Sequence, residues 1–473
     1  MFFRRISDSS LLTAIAFASL LVISGCGESG FESHFVTSEL TESLIKEAKS
    51  GMKDHDGVVD IVDQRFGDPQ DLKVWLKMPL NGGGVTGTIS ETPDASGPVK
   101  SLQLKLDGEF ADLVDGNETL QIVSGDAASE VVGFEAWNNE TGLCELKAPM
   151  QTAPKAGDQI VIGGGTVLQD GRVLYMRHCS HCHGTSGDGA GPTAEYLYPR
   201  PRDYRNGLFK FTSTKSLMRP SRDDIHRILK NGIPGTYMPS FVPMLDPDQL
   251  SSVIEYVRFL SIRGEFERKI ANEFAAEYSK AEYKKRLEDE SRAEILEALT
   301  EFYEEELADY VEQDGDSLAD AWKDAEDDAN VVIPGVARVE DSIESRRRGR
   351  ELFVGAKLNC VNCHGIGAKG NGPQTREYEI VDKKPRPKPG LHDDWGHVVK
   401  PRDLTRGIYR GGRRPLDIYR RLYSGINGAK MPAFGGKVPD EQLWDVVNYV
   451  LSIPFEVEPG HSPAAAEPAK PAE

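Results

Sequence analysis

Cysteine is scarce in this 473-residue chain: there are six, at positions 26, 144, 179, 182, 360 and 363, and four of them form two tight pairs. With those pairs and Cys26 assigned as below, Cys144 has no partner for an intramolecular disulfide, and its expected role is that of a small buried hydrophobe. Net positive charge is also missing. The 75 acidic residues outnumber 56 basic ones, leaving −19, which argues against nucleic acid as a partner. Beyond residues 11–23 no stretch approaches the roughly 18–20 apolar residues that a spanning helix needs. Residues 61–164 contain no histidine and one cysteine, which excludes a blue-copper site of the His2Cys type there.

What is present is concentrated in two short runs. Cys179-Ser180-His181-Cys182-His183 and Cys360-Val361-Asn362-Cys363-His364 are both C-x-x-C-H, the pattern for covalent haem c attachment. The cysteines form thioethers with the haem vinyl groups and the histidine becomes an axial iron ligand. The surrounding sequence repeats as well. Each run is followed by Gly184 or Gly365, then by Gly-x-Gly-Pro ending at Pro192 or Pro373, then by Pro-Arg-Asp at 201–203 and 401–403. A helical stretch comes next, at 223–229 and 415–422, and then Gly232-Ile233-Pro234-Gly235-Thr236-Tyr237-Met238-Pro239 answers Gly425-Ile426-Asn427-Gly428-Ala429-Lys430-Met431-Pro432. Amphipathic helices at 249–260 and 442–451 close the two copies. Self-similarity of this kind means duplicated units.

The order of helix, C-x-x-C-H, loop, helix, Met-Pro loop and helix resembles class I cytochrome c domains, over about 165–262 and 345–456. The resemblance implies two covalently bound haem c groups. It also implies a methionine opposite each histidine, giving His183 with Met238 and His364 with Met431. Met431 is the only methionine after Met244, so a His/Met haem in the second copy needs it; alignment of the copies selects Met238 over Met218 and Met244 in the first. A thioether ligand favours ferrous iron and raises the potential. In this family the carbonyl of a loop proline holds the second nitrogen of the histidine, and Pro192 and Pro373 match that place. Arg202 and Arg402 are candidates to pair with haem propionates, or alternatively with aspartate inside their own turns. His392 and His397 lie in a Pro-rich insertion, 383–400, that the first copy lacks; the loop could shield the second haem or contact a partner.

The rest of the chain divides by composition. Arg4 and Arg5 precede an apolar run ending in Ile23-Ser24-Gly25-Cys26, which looks like a bacterial lipobox: a signal peptide over 1–25, then lipidation at Cys26. The expected divisions are a tether at 26–60, a β-rich domain of unknown role at 61–164 and cytochrome c domain 1 at 165–262. After these come an acidic helical insert at 263–342, read as a solvated arm, cytochrome c domain 2 at 343–456 and a disordered tail at 457–473. The fold class is thus multidomain, with two all-α class I cytochrome c domains. Ten basic residues of the second unit, among them Lys383, Lys384, Arg386, Arg410, Arg420 and Arg421, read either as a solvated face with propionate partners or as a docking patch for an acidic redox protein.

The resemblance extends to dihaem c-type cytochromes of bacterial respiratory chains. It implies an electron carrier, rather than a catalyst, on the outer side of the cytoplasmic membrane and held there by a lipid anchor. The implied partners are redox proteins such as a terminal oxidase or a cytochrome-reducing complex. The alternative is a dihaem oxidoreductase of the peroxidase or thiosulfate-oxidising type, which needs one haem with an open sixth position.

Overall fold

The computed structural model describes residues 34–48, 57–94, 98–108, 119–128, 130–138 and 140–456. The expected signal peptide, Cys26 and the expected disordered tail lie outside the described residues. No helix among those described is long and apolar enough to cross a membrane.

The leading segment is docked, not a tether. Helices α1 (Glu39–Ala48) and α2 (Gly57–Phe66) bury Leu44, Val58, Val62 and Phe66. The i, i+4 spacing of the last three puts them on one helix face. They join the core of the first haem unit, and Leu72, Val74 and Met78 follow them into it. The expected β-rich unit at 61–164 is therefore shorter. Among the described residues six antiparallel strands, β1 (Val85–Ile89), β2 (Val99–Leu106), β3 (Thr119–Ile122), β4 (Val131–Asn138), β5 (Leu143–Met150) and β6 (Gln159–Ile162), close a barrel in the order 1-2-5-4-3-6. Strand β6 returns to β1 with Ile162 opposite Val85, so no edge is left open. Alternation along the strands sends Leu102, Leu104, Leu120, Ile122, Phe134 and Cys144 inward. Burial pushes the Cys144 thiol up to about 12, which makes it an inert core residue.

The first haem unit is built from α3 (Thr166–His178), the short α4 (Ser180–His183), α5 (Arg222–Asn231) and α6 (Pro247–Tyr278). Helix α6 starts with a capping box between Asp246 and Gln249 and Pro247 in its first turn. It does not stop where the repeat stops. It is 32 residues long in all, and its extension buries Phe266, Ile270 and Phe274. The acidic insert folds back along this extension as α7 (Lys280–Arg286), α8 (Arg292–Glu301) and α9 (Leu307–Asp324), with Phe302, Leu318 and Trp322 buried against it.

A solvated arm is therefore the wrong description of the insert. Much of its acid serves as counter-charge: Glu326 takes the fully buried Arg258 at 2.6 Å and also Arg222 at 3.1 Å, and Asp314 takes Lys269 at 2.9 Å. The second unit repeats the plan as α10 (Ile343–Val354), α11 (Val361–His364), α12 (Pro415–Ser424) and α13 (Asp440–Ser452) around its own core.

In both units the first and last helices cross at a glycine. A Cβ on Gly171 would lie 2.1 Å from the Ser252 carbonyl oxygen, and one on Gly349 would lie 2.0 Å from that of Asp445. The next residues each would meet are Tyr256 and Tyr449, at equivalent places on α6 and α13.

Candidate haem sites in one shared cavity

Each attachment motif is a single helical turn. His183 N–H donates to the Cys179 carbonyl at 2.9 Å, and His364 N–H to that of Cys360 at 2.8 Å. This closure turns both cysteines and the histidine toward the same cavity. The turn ends at Gly184 and Gly365, each at φ 76°, where a Cβ would strike Asp188 or Asn371. The chain then doubles back, and Gly189 and Gly370 donate to the carbonyls of His183 and His364 at 2.9 and 2.8 Å.

The ring nitrogens are placed without ambiguity. His183 Nδ1 lies 3.2 Å from the Arg202 carbonyl, and His364 Nδ1 lies 3.2 Å from the Arg402 carbonyl. A carbonyl only accepts, so Nδ1 carries the proton and Nε2 offers its lone pair. Burial holds His183 at about 4 and also lowers His364, so both rings are neutral donors near pH 7. This corrects the expected acceptors. Pro192 and Pro373 are exposed, and the atom that fixes the imidazole is the backbone oxygen of the Pro-Arg-Asp arginine. Tyr204 stacks on the His183 ring at 4.7 Å.

The methionine loops superpose in their hydrogen bonds. Ile233 N–H donates to the Met238 carbonyl (3.0 Å) and Ile426 N–H to that of Met431 (3.1 Å). Phe241 then donates to Leu229 and Phe434 to Leu422, tying each loop to the helix before it. Met238 and Met431 both line the cavity. Met244 also reaches its wall but is 49% exposed, and Met218 does not line it.

The two units share one cavity of about 1100 Å³, whose wall holds all four motif cysteines, both histidines and both loop methionines. The units close on each other directly. Ser424 Oγ donates to the Thr214 carbonyl at 2.9 Å, Leu217 N–H to Asn427 Oδ1 at 3.0 Å, and Val332 N–H to the Ser213 carbonyl at 2.8 Å. The insertion of the second unit lies at this seam: the Arg202 guanidinium sits 3.8 Å over the Trp395 ring. His392 is buried with its Nδ1 3.4 Å from Glu379, and it does not line the cavity.

Two haem c groups fit what the side chains leave unsatisfied. Arg202 Nη2 and Arg410 Nε are buried without a partner. Arg202 and Arg421, both on the cavity wall, are depressed to about 10 by burial. Unpaired guanidinium donors in a cavity call for an anion, and carboxylate propionates supply one. Of the ten basic residues of the second unit, Arg410 and Arg421 turn inward, and Arg420 donates to the Val332 carbonyl at 3.1 Å. They do not make one outward patch. Position 421 carried a signal: in the aligned first copy it is Ile228, another cavity residue.

Residues 166–257 match the family model for cytochrome c oxidase, cbb3-type, subunit III, and residues 347–454 match that for cytochrome c. The chain carries two cytochrome c-type domains and is a dihaem c-type cytochrome with two covalently bound haems, an electron-transfer protein by class. Its similarity to a named relative is more local. It is 32% identical over 98 residues to the cbb3-type cytochrome c oxidase subunit FixP of Sinorhizobium medicae, which covers 20% of this chain and 27% of that protein. The chain thus spans about a quarter of that relative's length. A looser likeness, with TM-score 0.41 and 25% identity over 60% of this chain and 96% of the other, is to a chain of the Kuenenia stuttgartiensis reducing HAO-like protein complex.

Proposed function

We propose that this cytochrome passes single electrons between respiratory components outside the cytoplasmic membrane, with a terminal oxidase among its acceptors, and that both irons stay closed by histidine and methionine. One observation carries the reading: His183 and Met238, and His364 and Met431, line a common cavity. Each haem, when bound, supplies a ferric/ferrous couple. The chain does the rest. The cysteines fix the group covalently, the Arg202 and Arg402 carbonyls hold the imidazoles in one tautomer, and the buried Tyr175, Tyr204 and Phe353 keep water from the histidines. The local similarity to an oxidase subunit supports an oxidase as acceptor.

The test is optical. The purified protein is expected to have a far-red methionine-to-iron band and an unchanged reduced spectrum under carbon monoxide. A carbon-monoxide shift on about half of the haem would instead put the enzyme reading first. We also propose export and lipid anchoring at Cys26, facing the periplasm. Cys26→Ser should move the protein from the membrane fraction to the soluble one, and an unchanged distribution counts against the anchor.

A further inference from the structure

Each Pro-Arg-Asp arginine serves both units at once. Its carbonyl takes the Nδ1 proton of its own histidine, as described above. Its guanidinium reaches toward the other unit, although the charge of Arg202 is also felt at His183 of its own unit. A Cβ built on Gly428, in the Met431 loop, would lie 3.1 Å from Arg202 Nη1, and one on Gly235, in the Met238 loop, would lie 2.7 Å from Arg402 Nη2. Gly235 and Gly428 hold the same place in the two copies, three residues before the methionine, so the approach is reciprocal. At φ +74° and +66° both are positions where the backbone wants glycine; at Gly235 the missing side chain admits the guanidinium, and at Gly428 it admits the Trp395 ring, 2.5 Å from such a Cβ, with the Arg202 guanidinium just behind.

We propose that Arg202 and Arg402 are exchanged positioning residues: each orients the histidine of its own unit through its backbone and raises the reduction potential of the other unit's haem through its charge.

The physical reason is that a fixed cation disfavours the more positive, ferric form of a neighbouring iron, and does so more strongly where water is excluded. The exchange is unequal. Arg202 is stacked on Trp395, and its Nη2 is buried without a partner. Arg402 donates its Nε to the Ile408 carbonyl at 2.9 Å. Asp393, Asp203 and Asp394 attract Arg202 and offset part of its field, but no ion pair joins any of them to it among the contacts described. The stronger uplift therefore falls on the second haem, and this favours electron flow from the first unit to the second.

The experiment is a spectroelectrochemical titration of the purified holoprotein, with the parent, Arg202→Gln, Arg402→Gln and Arg202→Lys. Each is repeated with Met238→His, which lowers the first haem and so identifies it. Arg202→Gln should lower the second haem's midpoint more than the first's, by about tenfold in its reduction equilibrium, or about 59 mV for one electron. Arg402→Gln should do the reverse with a smaller shift, and Arg202→Lys should restore most of the loss. Variants that move only the haem of their own unit, or neither, overturn the proposal. If Arg202→Gln does not fold, Trp395→Leu, which frees the arginine to water, must also lower the second midpoint, and an unmoved midpoint is equally fatal. The inference rests on closed His/Met irons, which the far-red band reports separately. A parent without the band defeats that reading, whereas a band with unmoved midpoints defeats the exchange alone.

Discussion

Met431→Ala should open the second iron and leave the first closed. About half of the far-red band should disappear, about half of the haem should bind carbon monoxide, and the second midpoint should fall, since the thioether that favours ferrous iron is gone. The loop itself should survive, because it is tied by backbone bonds, Ile426 to Met431 at 3.1 Å and Phe434 to Leu422 at 2.9 Å, which the substitution leaves in place. The insertion offers no ready substitute in His392, which does not line the cavity and whose Nδ1 stands 3.4 Å from Glu379, and Lys430 beside Met431 is paired with the same Glu379 at 2.8 Å. A variant that keeps the full band and ignores carbon monoxide would show that another residue holds the iron.

Gly349→Ala should unfold the second unit selectively. The added methyl would sit 2.0 Å from the Asp445 carbonyl oxygen, a backbone atom that cannot rotate aside, so α10 and α13 must part. Overpacking costs about 1–3 kcal/mol where side chains can adjust, and a backbone clash belongs at or above the top of that range. Separation would also strain the bonds that fasten the crossing, Ser345 Oγ to Asp445 Oδ1 at 2.7 Å and Arg348 Nε to Asp445 Oδ2 at 2.7 Å. Guanidinium unfolding followed in the haem absorption should split into an early phase for the second unit and a parental phase for the first. Gly171→Ala should reverse the assignment. A single unshifted transition in either variant would mean that the crossing tolerates a side chain.

The haem attachment motifs were legible because covalent chemistry dictates residue type and spacing: two thiols and an imidazole on one turn admit few alternatives. Duplication then carried the reading outward to the Met-Pro loops. It also misled. The repeat ends near Leu260 and Leu451, so the closing helix was expected to end there, although Phe266, Ile270 and Phe274 continue its buried face. The acidic composition hid the docking of α8 and α9, because charge counts do not reveal that Glu326 and Asp314 have buried or half-buried cations opposite them.

The histidine acceptor was unreadable for another reason. A carbonyl belongs to every residue, so only the path of the chain could pick Arg202 over Pro192. The β2, β3 and β6 strands were visible in their alternation, but the β1–β6 pairing that closes the barrel joins segments about 75 residues apart, and local pattern says nothing of it.

The shared cavity also constrains how the molecule is made. In the folded chain before any haem is attached, Cys179 is 7% exposed and burial pushes its thiol up to about 12, far from the reactive thiolate. A sulfur in that state can neither meet a macrocycle arriving from outside nor attack it. Ligation must therefore come first, on an open chain, and folding must close behind it. A chain that closed its two halves over the cavity before ligation would hide the thiol that the haem must meet.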